Sequence, residues 1–179
     1  NNPSYDPNLE ALDMVCNAER RSEMERYDDA VIRGYRAIEM IIGATLEKKY
    51  GLDMSYPNWM EFERSYPGKE DKFLLRLERT ELPIRLSPLL EVPLLLQVLE
   101  DPIGNVIYDK MQNMTTLQTL RNKLKTIHGS WIATKKDGEQ SLEICKDFIA
   151  SWLQLDRKQL EEQLKHLRFP KLLSEYMIL

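Results

Sequence analysis

The sequence is poor in the residues on which several classes of protein depend. Its two cysteines are too few for a disulfide scaffold or a four-thiolate zinc site, and such usage is typical of a reducing cytoplasm. Neither of its two histidines has a second His or Cys at ligand spacing. No apolar run reaches the roughly 18 residues of a membrane-spanning helix. We therefore expect a cytoplasmic protein with no membrane span, no metal site and no cofactor.

Acidic residues are absent from one long stretch. The whole chain has 25 Lys+Arg and 29 Asp+Glu, a net charge of −4, which excludes a generally basic nucleic-acid coat. Residues 110–136 contain no Asp or Glu. A polyanion would be attracted to this stretch with strong salt dependence, although a solvated helix face is an equally simple interpretation. The basic residues of the stretch are Lys110, Arg121, Lys123, Lys125, Lys135 and Lys136.

Apolar residues recur at helical spacing along most of the chain, and no alternating strand pattern is evident. Asp6-Pro7 predicts a helix start and Gly51 a helix end. Asp156 to Gln159 fits a capping box, and residues 135–138 are typical of a turn. The sequence therefore predicts one all-α domain over 1–179, an irregular bundle with a long antiparallel helix pair. Four helices are predicted over 7–26, 27–49, 70–79 and 103–128. A fifth follows the turn and includes Leu142 and Trp152, and a last one opens at Asp156 and stops before Phe169-Pro170.

One helix face combines apolar and chemically active residues. Because position i+7 returns to within about 20° of position i, Arg121 and His128 would share a face, about 10 Å apart along the axis. Leu117 and Leu124 lie on the same stripe, and Asn122 lies at its edge. Burying an unpaired charge is costly. We therefore expect this stripe to face a cleft or a second subunit rather than the monomer core.

These residues suit RNA cleavage without a metal. Histidine changes its charge near neutral pH and can exchange protons with the ribose hydroxyl or the leaving oxygen. Arginine stays charged and binds phosphate oxygens through two N–H groups. Asn122 could orient the ribose or the imidazole. The spacing alone leaves open a purely structural Arg–His pair.

Two blocks of sequence are similar to a known family. The run RNKLKTIHG at 121–129 resembles the Arg-x4–6-His signature of HEPN ribonucleases. A second block, NAERR at 17–21, RYDDAV at 26–31 and YRAIE at 35–39, resembles the start of the HEPN region in CRISPR-associated CARF–HEPN effectors. Together the blocks cover about a fifth of the chain, at the positions expected for an early and a late helix.

The resemblance implies a helical domain that dimerises, with one ribonuclease site built by two chains. Carried over, Arg121, Asn122 and His128 are the catalytic residues. Lys123 and Lys125, in a run more charged than the family leads one to expect, would hold the RNA backbone. Cleavage of single-stranded RNA would need no metal and leave a cyclic phosphate, as part of antiviral defence. A CARF domain that senses cyclic oligoadenylate would precede residue 1, so the sequence, which starts with Asn, is expected to be a fragment.

Several alternatives stay open. The chain could be a catalytically inactive helical module for dimerisation or binding, or an HEPN partner in a toxin–antitoxin or nucleotide-transfer system. Glu39 is a candidate partner for a buried Arg, and Asp28 is more simply a helix-capping residue than a metal ligand. Trp131 belongs either to the core or to a base-stacking surface. His166 is expected to be exposed.

Overall fold

The computed structural model describes residues 6–124 and 130–168, and within these ranges the chain is all-α. The one extended contact described is an isolated bridge between Leu124 and Trp131. The predicted fold class is therefore confirmed. The helices are α1 (Pro7–Glu23), α2 (Tyr27–Tyr50), α3 (Trp59–Ser65), α4 (Lys69–Leu77), α5 (Glu91–Val98), α6 (Pro102–Asp109), α7 (Met111–Lys123), α8 (Lys135–Trp152) and α9 (Arg157–Leu167).

Side-chain caps fix several helix ends where the sequence predicts them. The Asp6 carboxylate accepts a hydrogen bond from the Asn8 N–H at 2.9 Å, and α1 begins at Pro7. Helix α2 ends at Gly51, which adopts the left-handed conformation with φ of 65°. Asp156 forms the predicted capping box at the start of α9. These local signals are satisfied within a few residues of sequence, which is why the sequence alone reveals them.

Residues 135–138 are not the predicted turn but the first turn of α8. Thr134 is the N-cap, and its side chain and that of Asp137 form a reciprocal capping box. Gly138 is buried because its backbone approaches the Tyr27 ring, where an added Cβ would lie 2.8 Å from Cδ1. The glycine therefore serves close helix packing here rather than chain reversal.

Helices α1 and α2 form the predicted long antiparallel pair. A connection of three residues, 24–26, reverses the chain between them, and the two helices pack along one another. Helix α8 packs against both, while α9 covers α1 and α8, and α7 packs against α2. The apolar stripes of these helices meet in one core that includes Val15, Ile38, Phe148 and Leu164. Within the residues described, no helix has the length and apolar character needed to cross a bilayer.

The prediction of one continuous helix over 103–128 is wrong, because the helix breaks in the middle of this range and ends before 128. Lys110 leaves the helical conformation, with φ of −94° and ψ of 0°, and separates α6 from α7. Its ammonium group contacts Asp147 of α8 at 2.5 Å. Helix α7 stops at Lys123 because Leu124 turns to an extended conformation with ψ of 136°. The apolar repeat continues across both breaks, so the periodicity conceals them.

Candidate functional site

The last turn of α7 carries three of the predicted site residues. Arg121 is half-buried, whereas Asn122 and Lys123 are exposed. Cations near a helix C-terminus are favoured by the backbone dipole, and the two basic residues here follow that rule. The turn closes where the Leu124 N–H donates to the Arg121 carbonyl at 3.3 Å. The sequence therefore presents a guanidinium, an amide and an ammonium group from one helix end.

The chain on both sides of residues 125–129 is anchored. The Leu124 side chain is fully buried in the core, and the Trp131 N–H donates to the Lys123 carbonyl at 3.2 Å. Two residues later, the Ala133 N–H donates to the Asp28 carboxylate at 2.5 Å. These contacts attach the end of α7 and the start of α8 to the α1–α2 pair.

Two predicted site residues, His128 and Lys125, lie outside the described residues. The placement of Arg121 relative to the imidazole therefore stays a prediction that rests on the motif. The continuous helix on which the two groups were expected to share a face ends at Lys123. The prediction that this stripe faces a cleft or a second subunit is wrong for its apolar members, because Leu117 and Leu124 are both fully buried in the core.

The Arg121 guanidinium is held by an aromatic ring and a neighbouring amide. Its central carbon lies 5.0 Å from the centroid of the Tyr35 ring on α2. Its Nη1 donates to Asn122 Oδ1 at 2.9 Å. In the part of the chain that the structure describes, no carboxylate lies within ion-pair distance of it. Among the described residues, the guanidinium therefore has no acidic partner, and most of its N–H donors are not used by the groups named here.

The Tyr35 side chain is itself buried in the core. The side chain is 4 % exposed, and the Glu39 carboxylate, one turn further along α2, acts electrostatically on its hydroxyl. Burial and the Glu39 charge raise the pKa of Tyr35 to about 12, against the opposing effect of Arg121. The phenol therefore stays protonated and uncharged at neutral pH. The Glu39 carboxylate in turn forms an ion pair with Arg36, whose Nη1 lies 3.2 Å from Glu39 Oε2.

The interpretation of Glu39 as a partner for a buried arginine is wrong. The ion pair of Glu39 is with Arg36, whose side chain is 60 % exposed, not with a buried arginine. The role of Tyr35 was missed altogether. The available signal was the spacing of Tyr35 and Glu39, four residues apart on the core-facing side of α2. This spacing places the two side chains on one side of α2, whereas the packing of α2 against α7 is seen only in the structure.

The basic stretch 110–136 is less uniformly positive than its composition indicates. Lys110 is paired with Asp147 and Lys135 with Glu139, both acids of α8. The exposed Lys123 lies beside Arg121 at the end of α7. Helix α8 therefore compensates the ends of the stretch and leaves its central part as the more positive surface.

The remaining candidates behave as structural groups. Asp28 fixes the Ala133 backbone, and Asp29 pairs with Arg26 at 2.8 Å. Trp131 is half-buried against the core, and His166 is exposed on α9 as predicted. Among the residues described, no group of three or more His, Cys, Asp or Glu side chains is arranged to hold a metal ion.

Comparison with known protein families gives a match over most of the chain. The family model described as Csm6 HEPN domain matches residues 7–155, which span α1 to α8 and include the Arg121 motif. No curated protein and no solved structure is significantly similar to this chain. The match covers most of the chain and includes both blocks on which the sequence resemblance depends.

Proposed function

This chain belongs to the Csm6 HEPN domain family, and from that premise we propose that it is a metal-independent endoribonuclease acting on single-stranded RNA in CRISPR-linked defence. The observation that carries the proposal is the state of Arg121. Its guanidinium is half-buried at a helix end, lies on the Tyr35 ring and has no carboxylate partner among the described residues. A preorganised cation of this kind suits a phosphate whose negative charge increases in the transition state.

The reaction divides among the motif residues as follows. The ribose 2′-oxygen attacks the adjacent phosphorus after losing its proton, and the bond from phosphorus to the 5′-oxygen breaks, which leaves a 2′,3′-cyclic phosphate. His128 serves both proton transfers, removal from the 2′-hydroxyl and donation to the leaving 5′-oxygen. Arg121 compensates the charge on the non-bridging oxygens, and Lys123 and Lys125 hold the neighbouring RNA backbone. Asn122 Oδ1 accepts from Arg121, so its amide N–H groups remain to orient the ribose.

A second copy of the chain would complete the site. Proton removal and proton donation are separate roles, and each chain brings only one motif histidine. A homodimer that places two copies of His128 in one groove supplies both roles. We take control of the activity by cyclic oligoadenylate, bound to a preceding sensor domain, as part of the same proposal, on the strength of the family alone.

Substitution of the two histidines provides the decisive test. We expect His128→Ala to lower the cleavage rate of a labelled single-stranded RNA by about 100- to 10,000-fold, the usual contribution of a general acid–base group. Arg121→Ala should lower it by about 100-fold or more. Because no metal takes part in the proposed chemistry, cleavage should continue at the same rate in excess EDTA. The matched control is His166→Ala on α9, which should cleave like the unmodified protein.

Full cleavage by the His128→Ala protein would contradict the assignment, as would an equal loss in the His166→Ala protein. Sedimentation of the same preparations measures the oligomeric state. A stable dimer that leaves RNA intact under all conditions would support the inactive binding module instead.

A further inference from the structure

We propose that Tyr35 is a positioning residue for Arg121, a proposal that rests on the proposed ribonuclease function. An arginine side chain has many rotamers, and one at a half-buried helix end needs a partner to fix its plane. In the residues described, two groups do so: the Tyr35 ring at 5.0 Å and the Asn122 amide oxygen at 2.9 Å. The guanidinium carbon lies over the face of the ring, and the amide oxygen accepts a hydrogen bond from one of its nitrogens.

An aromatic partner has a chemical advantage over an acidic one. A carboxylate would bind the N–H edge of Arg121 and neutralise it, so it would compete directly with a substrate phosphate. A ring attracts the face of the planar cation and leaves the N–H edge available for bidentate contact with phosphate oxygens. Tyr35 therefore orients the guanidinium without consuming the charge that the reaction needs.

The ring is well suited to this role because its own position is determined. Tyr35 is almost fully buried in the core, and the neighbouring Glu39 is held by Arg36 at 3.2 Å. The exposed Arg36 compensates the Glu39 charge, and among the described residues Glu39 forms no ion pair with Arg121.

The experiment is a mutant cycle with kinetic readouts. Tyr35→Leu removes the ring face, Tyr35→Phe keeps it, and both are made with Arg121 intact and in the Arg121→Ala protein. We expect Tyr35→Leu to lower kcat/KM by about 3- to 30-fold, the range of a partly desolvated cation–π contact. Tyr35→Phe should stay within about threefold of the unmodified protein. In the Arg121→Ala protein, Tyr35→Leu should have no further effect on kcat/KM.

A merely structural role gives a different pattern. If Tyr35 only fills the core, Tyr35→Leu lowers the activity equally with and without Arg121, and that result would overturn the proposal. So would a Tyr35→Phe protein as impaired as Tyr35→Leu, since the effect would then belong to the hydroxyl. Rates are measured below the melting temperature of the least stable variant, so loss of folded protein does not imitate loss of positioning.

A binding measurement separates failure of this proposal from failure of the ribonuclease assignment. Tyr35 and Tyr35→Leu, each with Arg121 and with Arg121→Ala, are compared again in the His128→Ala protein. The readout is the affinity for a labelled single-stranded RNA. If the unmodified chain does not cleave RNA, the ribonuclease function fails, yet a loss of affinity on Tyr35→Leu that requires Arg121 still supports positioning. Binding that is independent of Arg121, or a loss that does not require it, rejects the role of Tyr35.

Discussion

Two cations of this protein, one buried and one half-buried, differ in whether neighbouring acidic groups compensate their charge. Lys146 is 8 % exposed and lies between Glu19 at 2.5 Å and Glu161 at 2.8 Å. Its charge is fully compensated, and it joins α8 to α1 and α9. Arg121 lies instead on an aromatic face with no acid in ion-pair distance among the described residues. The first arrangement stabilises the fold, and the second leaves charge for a ligand.

At the same scale, Asp101 is a buried carboxylate whose ionisation should support folding. It accepts hydrogen bonds from Lys49 at 2.7 Å, from Tyr50 at 2.5 Å and from the Ile103 N–H at 3.0 Å, as the N-cap of α6. Burial alone would raise its pKa, but these donors outweigh burial and lower it. We expect Asp101→Asn to lose roughly 2–4 kcal/mol of unfolding free energy at neutral pH, measured by urea denaturation.

The pH dependence of that difference has a definite sign. Because the pKa is lower in the folded state, Asp101 stabilises the protein above the unfolded pKa of about 4, and the contribution is lost as the pH falls through the folded value. The gap between the two proteins should therefore narrow in acid. Asp156→Asn is the matched control, since this exposed N-cap has a good substitute in Asn and should change stability by less than about 0.5 kcal/mol. A gap that widens in acid would contradict the prediction.

At the scale of elements, the sequence predicts what is locally determined. Asp6, Gly51 and Asp156 mark helix ends through their own hydrogen bonds or backbone angles, so these boundaries are confirmed. The helix breaks at Lys110 and Leu124 depend instead on tertiary contacts. Lys110 is held by an acid of α8, and Leu124 reaches the core from extended backbone, so the apolar repeat continues where the helix does not.

The candidate site divides in the same way. Arg121, Asn122 and Lys123 are predicted from a local motif, and the structure places them together in one helix turn. The contact of Arg121 with Tyr35 depends on α7 packing against α2, which no local pattern specifies. Predicting it requires the packing of two helices and not only their existence.

Two helical glycines test whether helix contacts are set by backbone or by side chain. A Cβ on Gly104 of α6 would lie 2.8 Å from the Gln97 nitrogen and 2.9 Å from the Leu96 carbonyl carbon, both backbone atoms of α5. We expect Gly104→Ala to lower the unfolding free energy by about 1–3 kcal/mol through overpacking. A Cβ on Gly43 of α2 would meet only Met54, with its terminal Cε at 2.8 Å.

Because the Met54 side chain can move aside, Gly43→Ala should be neutral or should stabilise by up to about 1 kcal/mol through helix propensity. Urea denaturation of the two variants beside the unmodified protein measures both effects. Equal stability of the two variants would show that the α5–α6 contact relaxes as easily as a methionine side chain.

At the scale of the whole molecule, charge is distributed so that RNA should approach from one direction. The chain is acidic overall, with a net charge of −4. A groove of about 240 Å³ along α2 is lined by three acidic residues, Glu39, Glu47 and Asp53, and by one basic residue, Arg36, so its net negative charge would repel phosphate. The acid-free end of α7 attracts it. The backbone of a bound RNA is therefore expected to follow the end of α7 and to avoid the groove.

The salt dependence of RNA binding measures how many cations take part. If Arg121, Lys123 and Lys125 each contact one phosphate, the logarithm of the affinity should fall against the logarithm of salt concentration with a slope of about −2 for a single strand. Lys123→Ala should reduce the slope by about 0.7. Lys158→Ala, an exposed lysine of α9, should leave it unchanged. Fluorescence anisotropy with labelled RNA in the His128→Ala protein gives these slopes without cleavage. A flat slope, or equal changes in both lysine variants, would mean that RNA is held elsewhere, because only direct phosphate contacts release counterions in proportion to their number.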